Sequence, residues 1–323
     1  MSFKVKSYKQ LDGSLKLQIS KVGDGVLRRF DRTPFPTKDT DVICPHFMLL
    51  AWANGCPFNC AFCYLKGTFR FHGQNGMGRV PMIFKDRKRI AKGLDAFLDP
   101  KIGEHRIKIP PELINTGELS DSLMQEGKDP FSCWIMKKFA GSKHKILFLT
   151  KSTNIDNFMK NDWQDNAILS WSINADAVSK RWEHLAPDML KRLKAARRVS
   201  EHGYTVRLRI DPMVPIENWQ EHYSKLLDEI FKRFTPERVT LGCLRGLTST
   251  IVNCKDKSWV KYLSERSNWG RKPSFQSRYD MYRMVIDLLE QNGLHKYGIC
   301  KDTVAIWKAL GLEPNKIKCN CIW

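Results

Sequence analysis

The 323-residue chain has no apolar run approaching the roughly 18–20 residues that a membrane span requires, which excludes a helical membrane protein. Acidic residues are in short supply: 34 Asp and Glu stand against 54 Lys and Arg, a formal net charge of +20. An excess of that size disfavours a basic partner and points to a polyanion whose phosphates shed counterions on binding, with nucleic acid as the first candidate. A basic surface that serves only solubility is the plainer alternative. The opening stretch from Met1 to Tyr8 lacks a hydrophobic signal segment, and the ten cysteines fall at irregular intervals unlike those of a secreted disulfide scaffold. Paired Cys-x-x-Cys arms, the usual mark of a structural zinc site, are also missing. With 42% hydrophobic residues the chain has enough apolar material for a core, so the expectation is a soluble, monomeric protein of a reducing cytoplasm.

Three of the cysteines lie close together. Cys56, Cys60 and Cys63 fall in the run Cys-Pro-Phe-Asn-Cys-Ala-Phe-Cys-Tyr, directly after the apolar stretch from Phe47 to Ala53, which reads as a buried strand. The thiols therefore sit on a loop leaving a strand. Three nearby thiolates suit a [4Fe–4S] cluster, with one iron left for another molecule to bind. A zinc ion would need a fourth ligand, for which His46 and His72 are badly spaced, and three unconnected thiols are the remaining reading.

The spacing Cys-x3-Cys-x2-Cys followed by an aromatic resembles the signature of the radical S-adenosylmethionine (SAM) enzymes. That resemblance implies a cluster that binds the amino and carboxyl groups of SAM and reduces it, giving a 5′-deoxyadenosyl radical that abstracts hydrogen from a substrate. It also implies an external electron donor such as flavodoxin or ferredoxin.

From Phe47 onward, β-rich apolar runs recur at 47–53, 106–115, 145–151, 167–173, 204–211 and 238–244. Helical patterns lie between most of them: Asp86 to Leu98, Pro130 to Phe139, His184 to His202 and Asn218 to Phe234. This alternation predicts an α/β fold, a partial (β/α)6 TIM-like barrel over 47–246. An N-terminal extension over 1–46 and a C-terminal extension over 247–323 would flank it. In such a barrel the reactive groups come from the C-terminal strand ends.

Those ends carry Gly117-Glu118-Leu119-Ser120-Asp121, Thr150-Lys151, Ser172-Ile173-Asn174-Ala175 and Arg207-Leu208-Arg209-Ile210-Asp211. Ser120-Asp121, Thr150-Lys151 and Ser172 to Ala175, together with Cys63-Tyr64-Leu65, resemble the spore photoproduct lyase branch of the radical SAM enzymes from about Trp52 to Pro212. The resemblance implies that Ser120, Lys151 and Ser172 contact SAM with Asn174 beside them, and that Phe62 and Gly117 belong to the cofactor site. Ser and Asn as hydrogen-bonding groups and Lys as a point cation suit that task; turn and cap roles are the bland alternative. Tyr64, Arg209 and Asp211 are the candidate catalytic residues, with Arg207 also directed towards the substrate end.

One departure bears on the reaction. Where the lyase has a hydrogen-returning cysteine, two positions before Ser120, this chain has Glu118, which resembles the Gly-Glu element that holds the amino group of SAM. Phe62 also stands where the lyase has a tyrosine. Unless Cys133, Cys243 or Cys300 supplies a thiol, modification or rearrangement (isomerisation) of a modified thymine in DNA fits better than lyase repair of thymine dimers. A zinc-binding, nucleic-acid-binding module without catalysis is the alternative of another class.

Beyond the barrel, Arg266 to Phe275 mixes cations with aromatics and suits phosphate contact and base stacking, and basic stretches at Lys85–Arg89 and Lys191–Arg198 extend that footprint. The solvated loop and solvated helix face are their plainer readings. Cys300 is expected to open a helical segment containing Trp307. Cys300, Cys319 and Cys321 are candidates for a second metal centre or a thiol donor, against free packing cysteines.

Overall fold

The structure, a computed structural model, describes residues 3–69, 80–102, 105–106, 108–316 and 318–323; His72 lies outside them. Among the described residues ten strands form the main sheet, and each neighbours the next in chain order. They are β1 Phe3–Lys9, β2 Leu15–Val22, β3 Leu27–Phe30, β4 Phe47–Leu50, β5 Leu113–Asn115, β6 Lys145–Thr150, β7 Ala167–Ile173, β8 Thr205–Met213, β9 Arg238–Cys243 and β10 Tyr297–Ile299. From β4 to β10 every pairing is parallel, while β1 to β4 pair antiparallel.

Parallel strands must be covered on both faces, so even their polar residues are largely buried. β7 is buried at all of its positions and β9 likewise. The covering helices are α1 Arg87–Leu98, α2 Phe131–Phe139, α3 Met189–Glu201, α4 Trp219–Phe231 and α5 Phe275–Gln291. Each buries one stripe at helical spacing, such as Ile90, Leu94 and Phe97 on α1 or Tyr223, Leu226, Leu227 and Ile230 on α4. Side-chain caps set the starts of α1 and α3: Asp86 accepts from the Lys88 amide at 3.0 Å and Asp188 from the Lys191 amide at 2.8 Å.

Several expectations are corrected. The run 106–115 yields a main-sheet strand only at Leu113–Asn115, because His105–Arg106 pairs in a separate hairpin with Lys101–Ile102. A seventh parallel strand, β10, continues the barrel sheet past the predicted six. Cys300 follows this strand instead of opening a helix, and the helix holding Trp307 begins at Val304. The first strands join the sheet edge through the pairing of Leu27 with Leu50, so they prolong the sheet and do not merely lie against it.

The C-terminal tail enters the fold. Asn320 is wholly buried, its side-chain amide donating to Ser170 Oγ and Leu208 O, both at 2.8 Å, while its Oδ1 accepts from Thr240 Oγ1 at 2.8 Å. Arg207 donates to the carbonyls of Asn320 (2.8 Å) and Ile322 (3.0 Å). Arg207 therefore holds the tail and does not point to the substrate end. Among the described residues no helix is long and apolar enough to cross a membrane.

Candidate active site

Gly55 sets the path of the cysteine loop. Its φ is +90°, in the left-handed region, and a Cβ there would lie 1.9 Å from the Pro81 carbonyl oxygen, so only glycine fits. Its amide donates to Leu119 O at 2.9 Å, tying the cysteine loop to the loop after β5. A second tie runs through Cys60, which pairs antiparallel with Glu183, while the Ala61 amide donates to Trp182 O at 2.7 Å.

Cys56, Cys60 and Cys63 all line one cavity of about 540 Å³. Burial raises all three thiols, Cys60 to about 12, so a bound cation is needed to draw off their protons. Three thiols on one cavity wall are a donor set that fits an iron–sulfur cluster.

The other predicted residues converge on the same space. Phe62, Tyr64, Gly117, Glu118, Ser120, Lys151, Ser172, Arg209 and Asp211 line the cavity. Lys151 Nζ donates to Ser172 Oγ at 2.5 Å and lies 3.5 Å from the Glu183 carboxylate. Although burial opposes its charge, Glu183 keeps the Lys151 ammonium above its ordinary range. The Tyr64 hydroxyl donates to the Glu118 carbonyl, which leaves the Glu118 carboxylate free of that contact. Asp121 has a different task from its neighbour Ser120: its carboxylate accepts from Thr150 Oγ1 (2.7 Å) and from the Lys151 amide (2.8 Å). It thereby locks the ends of β5 and β6 together.

Asp211 takes two hydrogen bonds from Arg245, at 2.6 and 2.7 Å, and stands 3.6 Å from Arg209. Burial works against the Asp211 charge, but Arg245 and Arg209 hold the carboxyl below its ordinary value. Gly242 makes room for this group, since a Cβ there would stand 2.7 Å from the Asp211 carboxylate.

Asn174 is the predicted residue that the structure removes from the site. It is wholly buried and all its polar atoms are used: Nδ2 donates to Pro212 O at 2.8 Å, and Oδ1 accepts from the Ala175 amide and the Tyr223 hydroxyl at 2.9 and 3.1 Å. It ties β7 to β8. The basic footprint also shrinks, because Arg192 lies buried against Glu183 and Arg87, Arg89 and Arg197 are paired with Asp129, Asp24 and Glu201. Trp269 sits at the turn of a hairpin formed by Glu265–Ser267 and Gly270–Lys272, edge-on to Phe30 with ring centroids 6.4 Å apart. It forms cavity wall, so the stacking or wedging role is not that of a free aromatic.

Sequence reading missed Glu183, Arg245 and Cys44 as site neighbours, and no local pattern marks them. Of the cysteines weighed as thiol sources, Cys300 lines the cavity. Cys243 is buried with its amide bonded to Tyr282, and Cys133 lies on α2; neither lines the cavity.

The family model described as spore photoproduct lyase matches residues 46–245, more than half of the chain. Spore photoproduct lyase of Clostridium acetobutylicum is 25% identical over 177 residues, covering 54% of this chain and 48% of the relative. That of Bacillus subtilis is 24% identical over 187 residues, covering 56% and 50%. The chain thus spans about half the length of the curated relatives it matches. A solved spore photoproduct lyase complexed with dinucleoside spore photoproduct superposes with a TM-score of 0.61 at 16% identity, covering 78% of this chain and 75% of that one. A mutant lyase with bound AdoMet and dinucleoside spore photoproduct gives the same TM-score, 0.61, covering 79% and 76%. These structures establish the fold, a TIM-like barrel with a mostly parallel sheet.

Proposed function

The chain belongs to the spore photoproduct lyase family of radical SAM enzymes, and on that premise we propose that it acts on a pyrimidine base in DNA by abstracting hydrogen. A [4Fe–4S] cluster and SAM are the cofactors expected of this family, and together they supply a 5′-deoxyadenosyl radical. The observation that carries the reading is the convergence of Cys56, Cys60 and Cys63 with Glu118, Ser120, Lys151 and Ser172 on one cavity.

In this reading the three cysteines hold the cluster. Glu118 takes the amino group of SAM and Lys151 its carboxylate, while Ser120 and Ser172 hydrogen-bond the remaining polar atoms. Tyr64, Arg209 and Asp211 line the part of the cavity left for substrate. Arg28, Arg32 and Lys301 are also on its walls and supply cations for phosphate. A one-electron donor such as flavodoxin or ferredoxin, a monomeric state and a cytoplasmic setting complete the proposal, with the C-terminal extension sharing the nucleic-acid contact.

The reaction outcome follows from Glu118. A carboxylic O–H bond is far too strong to return a hydrogen atom to a carbon radical, so modification or rearrangement of a modified thymine is the reading preferred. Repair of a thymine dimer is the second reading, favoured by the names of the relatives and by the thiols of Cys300 and Cys321 on the cavity wall.

The test is anaerobic reconstitution with iron and sulfide, reduction, and incubation with SAM and thymine-containing DNA, unmodified, hypermodified or ultraviolet-irradiated. DNA-dependent release of 5′-deoxyadenosine that vanishes in C56A/C60A/C63A is expected, and the DNA that drives it separates the two readings. A reconstituted chain that binds no iron, or releases no deoxyadenosine with any of the DNAs, overturns the proposal.

A further inference from the structure

Four cysteines outside the Cys56–Cys63 motif line the same cavity: Cys44, Cys300, Cys319 and Cys321. They arrive from three distant parts of the chain. Cys44 precedes β4, Cys300 follows β10, and the other two belong to the tail. The first two segments are joined by the Val42–Thr303 bridge and by the Ile43 amide donating to Asp302 O at 2.9 Å. The tail is joined through Asn320, whose hydrogen bonds to Ser170, Leu208 and Thr240 fix the residue between Cys319 and Cys321. Cys44, Cys319 and Cys321 then share one apolar cluster with Phe30, Phe47, Leu49 and Trp269.

We propose that Cys44, Cys300, Cys319 and Cys321 form a second metal centre, a closed tetrathiolate site for a thiophilic metal group, which fastens the C-terminal tail to the barrel. Four Cys sulfurs are the donor set of structural zinc and of closed iron–sulfur clusters, and a closed set leaves no position for substrate. Two observations point to a ligand there. Cys321 Sγ receives donors from Arg209 Nη2 at 3.1 Å and from Asn115 Nδ2 at 3.5 Å, the pattern of outer-shell N–H groups around a metal-bound thiolate. Arg209 Nε is buried and has no acceptor among the described residues, so the site holds a donor that bound sulfur would satisfy.

The charge is also in place. Four thiolates on a divalent ion carry a net negative charge, and Arg209, Arg245 and Lys301 stand on the same cavity wall. Arg245 reaches the Cys300 carbonyl at 2.7 Å. Among the described residues no set of three or more His, Cys, Asp or Glu is closed to ligand geometry, Cys56, Cys60 and Cys63 included. Thiol rotation on metal uptake is therefore required at both centres.

The experiment separates the two centres by removing the first. The C56A/C60A/C63A variant is titrated with Co(II) and Zn(II), and in parallel reconstituted with iron and sulfide. About one equivalent of tightly held metal with the absorption of tetrathiolate cobalt, or acid-labile sulfide retained on the variant, is the expected result. Adding C319S/C321S should abolish it. A folded triple variant that takes up neither metal nor sulfide overturns the second centre, while iron binding and deoxyadenosine release by the unmutated chain would still uphold the radical SAM reading. Should the triple variant fail to fold, alkylation of the metal-loaded unmutated chain decides. Chelation is expected to expose Cys44, Cys300, Cys319 and Cys321 to iodoacetamide, and an alkylation pattern that chelation leaves unchanged at all four overturns the proposal.

Discussion

Glu183 is the ladder partner of Cys60, and its carboxylate is sealed behind the cysteine loop in a 2.6 Å ion pair with Arg192, both side chains wholly shielded from solvent. Lys151, 3.5 Å away on the other side, shares the same charge. A buried carboxylate tolerates such a position only while paired, so Arg192 should be far less replaceable than a surface arginine. Arg192→Met leaves Glu183 with only the more distant Lys151 ammonium and the Ser179 hydroxyl, and the loss expected is about 3–5 kcal/mol, the usual cost of breaking a buried pair. Urea unfolding of the variant checks this. A midpoint equal to that of the parent would show that the pair contributes nothing to stability.

Lys151 faces both ways, with its amine between Ser172 and Glu183 and its flank on the cavity. If it holds the carboxylate of SAM, Lys151→Met should weaken SAM binding by roughly tenfold or more, a loss of about 1.4 kcal/mol or more. Equilibrium dialysis of SAM against the cluster-reconstituted protein measures it. Unchanged affinity would reassign Lys151 to a purely structural partner of Glu183.

What was legible in the sequence is what local pattern encodes. The parallel strands from β6 to β9 and helices α1 to α4 announce themselves because apolar runs and helical stripes are short-range signals. The cysteine motif and the polar strand ends do so too, since a barrel gathers strand ends by topology alone. Asn174 was misplaced because its type suits both a ligand contact and a strand tie, and only the positions of Pro212 and Tyr223 decide between them. Glu183 was invisible for a related reason: its meaning depends on Arg192 and Lys151, one brought by a helix and the other by a strand. The short β10 carries only three residues, too few for any period to show, and the tail's route into the barrel depends on Arg207 and Thr240 more than a hundred and about eighty residues away.

His144 gives a pH prediction. It precedes β6, accepts from the Glu112 amide at 3.1 Å, and its Nε2 is buried without a partner among the described residues. Burial, helped by Lys143, pushes the imidazole down to about 4. The folded chain keeps it neutral while the unfolded chain takes up a proton below about 6.5. Its contribution to stability is therefore full above about 6.5 and is lost as the pH falls towards 4. In His144→Asn the amide oxygen can still accept from Glu112 but nothing titrates, so the stability gap between parent and variant should narrow across that window. Urea midpoints at several pH values test it, and a constant gap would mean that His144 does not titrate differently on folding.

Gly55 links backbone strain to metal content. Its positive φ alone makes any L side chain cost about 1–2 kcal/mol, and the contact of a new Cβ with the Pro81 carbonyl adds to this because backbone cannot rotate away as a side chain can. The strain falls one residue before Cys56, on a loop held by the Gly55 amide to Leu119 O and by the Gly55–Ser120 bridge. Relief requires that loop to shift, which moves Cys56 relative to Cys60 and Cys63 while the Cys60–Glu183 ladder stays in place. Gly55→Ala should therefore retain its circular dichroism, lose at least about 1–2 kcal/mol of urea stability, and hold markedly less iron after reconstitution than that loss alone explains. A variant that keeps full iron occupancy would show that the cysteine loop adapts freely, and that its close tie to the loop after β5 is not what positions the cluster.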